Sequence, residues 1–372
     1  MARRRKSKSK GLHLNIAALL AASIVLGTAG WLLIVYPKQK NEGPPTETYV
    51  ELRPTEGVGP LALRLEQAGL IDSALTWSAY MRVLGASARL RSGTVALRGD
   101  LTPVEVARHV ATGMGWALVR VTIPEGFTRR QIAERLESRG VCSADAFLAI
   151  TEDPRFLEHH HISGESFEGY LFPDTYQFVV NETARRVLIK MITAWRRRVL
   201  PALDEGSAAL GRYRSSLGWG VHEVITLASV VEKEAARRDE QPIIAGVFLN
   251  RLLDGAFRPR RLQADPTVSY GCLSGHGRSE ACAAYDGRRI TRAMLQDRSN
   301  PYNTYRHDGL PPGPISNPGL GAVRAVLNPA NHEFFYFVAS GGGRHQFSRT
   351  LDEHLEAVSE YRNQRRSSDG SE

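Results

Sequence analysis

The stretch from Thr226 to Ala236 carries apolar residues at helical spacing and ends in acidic residues. At about 100° per residue, one face of the predicted helix contains Val224, Leu227, Ala228, Val231 and Ala235. Lys233 points away from this face, and Glu232 and Glu234 lie at its opposite edges, roughly 160° apart. A carboxyl group beside an apolar wall acquires a raised pKa and becomes a proton donor near neutral pH. An ordinary amphipathic helix with a solvated acidic end is the alternative interpretation of this segment.

Hydrophobic periodicity and capping patterns in the rest of the chain predict a mixed α+β fold. Predicted strands are Tyr49–Leu52, Gly93–Leu97, 119–124 and a buried Phe334–Val338. Predicted helices are Leu61–Ala68, Ser73–Leu84, one that begins at Thr102 with Glu105 in a capping box, one that contains Ile132 and Leu136, Ser143–Ile150, Thr183–Leu203 and one through Gly246–Leu252.

One apolar run precedes all of these elements. Leu14–Tyr36 spans 23 residues without a charge, follows a basic segment, and has Trp31 and Tyr36 near its far end. This pattern predicts a transmembrane helix over residues 12–36 with a cytoplasmic basic tail at 1–11. A cleaved signal peptide is the alternative, but the run is long for one. Everything beyond about residue 37 is then expected outside the cytoplasm.

Composition shifts predict the remaining boundaries. Residues 37–47 form a polar, Pro-rich linker, residues 48–114 a small α+β module, and residues 115–200 a connecting α+β subdomain. We expect a further domain over residues 201–362 and a disordered polar tail at 363–372.

The net charge adds no evidence for a nucleic-acid partner. The net charge is +9, but six of the positive charges lie in the first ten residues, and the remainder has 42 basic against 39 acidic residues. The chain therefore shows no electrostatic footprint of nucleic-acid binding.

The cysteines and histidines indicate an oxidising compartment and no metal. Cys272 and Cys282 lie close together in a Gly- and Ser-rich segment and are candidates for a disulfide, with two free thiols as the alternative. Cys142 would remain as a small buried residue. The cysteine spacings do not fit a zinc site, and the consecutive residues His159–His161 point in different directions. A P-loop and a Gly-rich strand-to-helix turn are also lacking, which argues against a nucleotide. We expect no metal and no cofactor.

Several polar and aromatic clusters suggest a carbohydrate cleft. Ser166–Tyr176 is dense in aromatic residues and contains Glu168, so it is either a packing hinge or a wall on which sugar rings stack. Downstream lie four more clusters: Leu262–Val268, with Gln263 and Asp265 in a strand or turn ended by Pro266; Pro301–Tyr305; the stiff loop Gly309–Gly319; and Gly341–Phe347, a turn with His345. Amide and hydroxyl donors beside aromatic platforms suit an oligosaccharide.

On these segments the chain resembles the endolytic murein transglycosylases, the MltG or YceG-like family. The matching runs are Leu227–Glu234, Leu262–Val268, Tyr302–Tyr305, Gly309–Gly319, Gly169–Tyr176, Tyr336–Val338 and His345–Phe347. The resemblance implies a single-pass inner-membrane protein whose module at 48–114 is LysM-like and whose catalytic domain is 201–362. It also implies cleavage of glycan strands between N-acetylmuramic acid and N-acetylglucosamine with formation of a 1,6-anhydro end. The cysteine-bearing segment between Tyr270 and Tyr285 departs from the family pattern. The resemblance therefore does not predict the structure of the cleft rim.

The resemblance assigns the catalytic role to Glu234, which helical periodicity alone does not distinguish from Glu232. Our candidates for holding the glycan are Gln263, Asp265, Tyr302, Asn303, Tyr305, His345 and Glu168. Asp265 is equally a candidate for a structural role, and Glu168 is similarly open. Expected partners are peptidoglycan strands, the inner membrane and cell-wall synthases. A non-catalytic peptidoglycan-binding scaffold and a lysozyme-type hydrolase are the rival functions.

Overall fold

The chain forms two compact units. The computed structural model describes residues 19–43, 45–53, 56–85, 92–112, 117–275 and 279–369, with side chains as far as Asn363. The N-terminal unit comprises Met1–Val119 and Gln177–Thr183, and the C-terminal unit comprises Arg120–Tyr176 and Ala184–Glu372. The predicted basic tail at 1–11 and the first part of the predicted span lie outside the described residues.

The first element is an apolar helix, α1 (Leu19–Lys38). Its 20 residues correspond to about 30 Å, the thickness of a bilayer core. Most of its apolar side chains, such as Leu20, Ile24 and Val25, are exposed. This helix is a candidate membrane anchor.

The rest of the N-terminal unit packs helices on a two-stranded sheet. Its elements are β1 (Glu47–Leu52), α2 (Val58–Gln67), α3 (Ala74–Val83), β2 (Gly93–Arg98) and α4 (Pro103–Thr112). β1 and β2 are antiparallel. The predicted positions of these elements are confirmed to within a few residues. The Glu105 carboxylate accepts hydrogen bonds from the Thr102 N–H and hydroxyl (2.8 and 2.7 Å), and Trp77 is fully buried in the core.

The chain passes from one unit to the other within two strands, β3 (Leu118–Thr122) and β4 (Thr175–Val179). The C-terminal unit is mainly helical. Its helices are α5 (Arg129–Ser138), α6 (Ala144–Thr151), α7 (Pro154–His159), α8 (Ala184–Glu205), α9 (Ser207–Leu217), α10 (Val221–Glu234), α11 (Gln241–Leu253), α12 (Asp265–Leu273), α13 (Glu280–Ala283), α14 (Arg292–Gln296), α15 (Leu320–Leu327) and α16 (Leu351–Asp369). A hairpin of β5 (Tyr336–Gly341) and β6 (Arg344–Ser348) precedes α16. The mixed α+β fold is confirmed.

Helix α10 lies at the centre of this unit. Residues 224–231 are all buried, and the helix packs against α11, α12 and α15. The predicted apolar face is therefore only part of a helix that is buried nearly all round. Its last turn emerges from the core, which leaves Glu232 and Glu234 partly accessible.

Three predictions of local structure were wrong. Asp265 begins helix α12 instead of lying in a strand or turn, because Pro266 fits the first turn of a helix, where its missing N–H costs nothing. The predicted buried strand begins at Tyr336, not Phe334, and its side chains are half-buried. Residues 363–369 continue helix α16, where we predicted a disordered tail.

Cys272, near the end of α12, is joined to Cys282 in α13 by a disulfide, with Cα atoms 5.1 Å apart. The bond closes a short loop of which residues 276–278 lie outside the described part. Cys142 is half-buried and is not disulfide-bonded.

We expect mass spectrometry of protein from its native compartment to find Cys272 and Cys282 linked and Cys142 outside any disulfide. Alkylation under denaturing conditions, with and without prior reduction, distinguishes the bonded pair from Cys142. Two alkylated thiols at 272 and 282 without reduction would contradict the pairing.

Candidate functional site

Helix α10 directs its two terminal carboxylates to different surroundings. The helix starts at Gly220, whose N–H donates to the Glu223 carboxylate (2.7 Å), and ends at Glu234. The Glu232 carboxylate accepts a hydrogen bond from the Gly319 N–H (3.1 Å) at the start of α15. The divergence expected from helical geometry is therefore present, and Glu232 is bound to a neighbouring element.

Glu234 is held in a different way. Its side chain is half-buried, and within the described part of the chain its carboxyl group has no hydrogen-bond partner. Burial and, to a smaller extent, the negative charge of Asp265 raise its pKa to about 8, against the opposing effect of the Arg251 cation. A carboxyl group in this state keeps its proton near neutral pH.

Arg251, from α11, supplies the positive charge beside Glu234. Its side chain is 5% exposed, its Nε donates to the Phe335 carbonyl (2.6 Å), and its guanidinium also donates to the Leu262 carbonyl. The guanidinium lies 5.6 Å from the ring centroid of Tyr336. Among the described residues no carboxylate is within ion-pair distance of it. Burial lowers the pKa of Arg251 to about 10, still well above neutrality, so the group remains a cation.

Asp265 and Tyr305 complete this cluster. The Tyr305 hydroxyl donates to the Asp265 carboxylate (2.7 Å), which lies exposed at the first position of α12. Burial and the charge of Asp265 raise the pKa of Tyr305 far above its usual value, so it remains a hydroxyl donor. The structure thus brings together Glu234, Asp265 and Tyr305, three of the residues predicted from sequence.

Gln263 is exposed and has a strained backbone. Its φ is +54°, a region that non-glycine residues rarely adopt, and its N–H donates to the Thr304 carbonyl (3.2 Å). Its side-chain amide makes no hydrogen bond to any described residue. Strain of this kind is retained where the surroundings require it, frequently at functional sites.

Glu168 is almost fully buried, and neighbouring groups occupy its carboxylate. It is 2% exposed, and its carboxylate accepts hydrogen bonds from the Arg129 N–H (3.0 and 3.1 Å), the Asn317 amide (2.7 Å) and the Tyr270 hydroxyl (3.2 Å). Burial raises its pKa to about 7, and these donors oppose the shift.

Asn317 connects Glu168 to several neighbouring backbone segments through hydrogen bonds. Its side-chain oxygen accepts from the N–H groups of Gly169 and Leu171 (both 2.9 Å), and its amide also donates to the Phe127 carbonyl (2.9 Å). We name Glu168 and Asn317 the buried junction. From the sequence, Asn317 was predicted only to belong to a stiff loop. Neither Asn317 nor Arg251 was among the predicted site residues.

Tyr302 and Asn303 are also packed inside, contrary to their predicted role. Tyr302 is 8% exposed and packs against Tyr270, with ring centroids 5.0 Å apart and ring planes tilted by 58°. Asn303 is fully buried. Its side-chain NH2 group donates hydrogen bonds to the carbonyls of Met294 (3.0 Å) and Asp297 (2.6 Å), and its side-chain oxygen accepts one from the Tyr305 N–H (3.0 Å). Asn303 therefore fixes the backbone of Tyr305 and has no capacity left for a sugar.

His345, on β6, is held by an internal carboxylate. Its N–H and its Nδ1 contact the two oxygens of the buried Glu240 at 3.1 and 2.7 Å. Only the Nε2 of its ring remains available for a ligand as far as the described residues show.

A cavity of about 890 Å³ adjoins the acidic cluster. It is lined by the start of α5, one face of α12 and the segment that follows the disulfide loop. Asp265 belongs to both the cavity wall and the cluster, whereas Glu234 is not among the lining residues. Asp265 therefore links the cavity to Glu234, on which its charge acts.

Replacing Asn317 with Ala should lower the free energy of unfolding by about 3 kcal/mol or more, because it leaves several buried polar groups without partners. Hydrogen exchange at the Gly169 and Leu171 amides measures the loss directly, since both donate to the removed oxygen. Asn328→Ala, at an exposed position, is the matched control. Unchanged protection of both amides would show that the junction does not order this segment.

Comparisons with known proteins agree on one family. The model of the YceG-like family matches residues 50–360. A Bacillus subtilis (strain 168) protein named endolytic murein transglycosylase is 27% identical over 335 residues, 85% of each chain. A protein of the same name from Streptococcus pneumoniae serotype 2 (strain D39 / NCTC 7466) is 29% identical over 374 aligned positions, covering 93% of this chain and 64% of that protein.

A solved structure extends this similarity to the fold. The crystal structure of a YceG-like protein from Listeria monocytogenes matches with a TM-score of 0.50 and 29% identity, over 84% of this chain and 99% of that one. Since the family model spans most of the chain, this protein belongs to the YceG-like family.

Proposed function

We propose that this protein is an endolytic murein transglycosylase. It cleaves peptidoglycan glycan strands between N-acetylmuramic acid and N-acetylglucosamine and leaves a 1,6-anhydro end. The observation that carries the proposal is the half-buried Glu234 carboxyl group, whose pKa is raised to about 8. Membership of the YceG-like family and relatives named endolytic murein transglycosylases support it.

In the proposed mechanism Glu234 acts first as an acid and then as a base. Its proton passes to the glycosidic oxygen as the bond to the anomeric carbon breaks. The resulting carboxylate accepts the proton of the 6-hydroxyl of the muramic acid, and the oxygen of that hydroxyl bonds to the anomeric carbon. Because the nucleophile belongs to the substrate, its effective molarity is high, and a second carboxylate nucleophile is not required.

The neighbours of Glu234 support both steps. The Asp265 carboxylate disfavours ionised Glu234 before reaction and offers negative charge to the oxocarbenium-like centre that develops at the anomeric carbon. Arg251 then stabilises the Glu234 carboxylate that forms. The free amide of Gln263 and the hydroxyl of Tyr305 are the groups we assign to holding the sugar.

We also propose a cellular location for the protein. Helix α1 is a single inner-membrane anchor with a cytoplasmic N-terminus, and the C-terminal unit is periplasmic, where the Cys272–Cys282 bond is stable. The module at 48–114 acts as a LysM-like peptidoglycan-binding element. The enzyme terminates elongation of nascent strands beside the cell-wall synthases.

Glu234→Gln should fold normally and lose at least about 100-fold in activity, the usual contribution of a general acid. The measurement is 1,6-anhydro ends released from purified strands, identified by mass spectrometry. Glu232→Gln is the matched control and should remain active, because Glu232 is engaged by Gly319. Wild-type amounts of anhydro product from Glu234→Gln would contradict the assignment, and reducing ends from the unmodified enzyme would indicate a lysozyme-type hydrolase.

The pH profile supplies a second test of Glu234. A general acid is active when protonated, so kcat/KM should fall as pH rises through about 8. Asp265→Asn removes a charge that raises this pKa and should shift the alkaline limb to lower pH. Identical alkaline limbs in the two proteins would show that Asp265 does not tune the acid.

A further inference from the structure

The cavity beside Asp265 is built as an elongated trough. Along α12, Pro266, Ser269, Tyr270 and Leu273 line it, a spacing that places them on one face of the helix. The trough therefore follows α12 from the acidic cluster to the disulfide. Nine helical residues extend about 13 Å, the length of roughly four residues of extended peptide.

Two arginines line this trough from two different segments of the chain. Arg130 is in the first turn of α5, and Arg289 is in the segment that follows the disulfide loop. Both side chains are exposed, and neither has an ion-pair or hydrogen-bond partner among the residues that the structure describes. Arg129, in contrast, is neutralised by an ion pair with Glu152.

The remaining charges leave the trough cationic. Lys233 and Arg288 also line it, and the acids that line it outside the Arg129–Glu152 pair are Glu134, Asp265 and the buried Glu168. Glu168 is already surrounded by its donors, and Arg288 is ion-paired with Asp286. Glu134 and Asp265 are thus the lining acids within the described chain that are left to balance three cations, Arg130, Arg289 and Lys233.

We propose that this trough binds the peptide stem of peptidoglycan, with carboxylates of the stem held by Arg130 and Arg289. The proposal rests on the function proposed above. Amino-sugar rings whose lactyl group is joined to a peptide carry no charge, so the glycan alone offers these guanidinium groups no partner. The stem offers free carboxylates, which a planar guanidinium binds in a bidentate manner.

The position of the trough agrees with this occupant. The stem hangs from N-acetylmuramic acid, the sugar whose anomeric bond is cut, so a site for it must adjoin the reacting carboxyl group. Asp265 provides that continuity, because it is part of the trough and its charge acts on Glu234. Binding of the stem selects which sugar is presented to Glu234 and favours strands that retain their peptides.

The experiment uses the full chain in detergent and two forms of the same strands, one with its stem peptides and one stripped of them by an amidase. The double variant Arg130→Gln/Arg289→Gln should raise KM about tenfold on peptide-bearing strands, leave kcat unchanged, and leave both constants unchanged on stripped strands. Arg292→Gln, an exposed arginine nearby that does not line the trough, is the control.

Affinities of both strand forms for Glu234→Gln, with and without the two arginine substitutions, provide a readout that does not need cleavage. Equal effects on the two strand forms, or no effect on either, would overturn the stem site. Absence of cleavage by the unsubstituted chain would overturn the proposed function. An arginine-dependent preference for peptide-bearing strands in binding would still support the trough in that case.

Discussion

The C-terminal unit depends on a buried carboxylate–amide contact, the 2.7 Å hydrogen bond between Glu168 and Asn317. This bond and the bonds around it join the chain near Phe127, the segment at 168–171 and the loop at 309–319. The same loop is tied to α10 by the Ser229 hydroxyl, which accepts from the Ile315 N–H (2.9 Å). Loss of one partner would leave several polar groups buried and unpaired, which is why such junctions hold elements firmly in register.

Three glutamates of this unit show how hydrogen bonding decides the use of a buried acid. Glu168 is the most completely enclosed, yet its four donor contacts limit the rise of its pKa to about 7. Glu232 has one donor, the Gly319 N–H, and burial raises its pKa as well. Glu234 has no donor among the described residues and a carboxylate neighbour, and its pKa reaches about 8. Of the three, Glu234 alone combines a retained proton with an unengaged carboxyl group.

The surroundings of Glu234 separate two kinds of recognition. One group of polar side chains suits a sugar: the amide of Gln263, which has no hydrogen-bond partner among the described residues, and the hydroxyl of Tyr305. The trough along α12 contains Arg130 and Arg289, which have no ion-pair partner in the described part of the chain. Asp265 contributes to both groups. A substrate that combines a neutral glycan with an anionic peptide would meet complementary chemistry near one carboxyl group.

The sequence by itself determined the N-terminal apolar helix, the mixed α+β class, most helix positions and the divergence of Glu232 from Glu234, because each follows from local periodicity and capping. The family resemblance singled out Glu234, and periodicity did not. Tertiary structure alone decided that Asn303, Tyr302 and Glu168 serve the interior and that Arg251 and Asn317 matter. The partners of Glu168 show the reason: Asn317 is 149 residues away and Tyr270 is 102 residues away. Spacing along a chain shows which face a side chain occupies, but whether its polar atoms remain free for a ligand depends on distant groups that only the folded chain brings within hydrogen-bond distance.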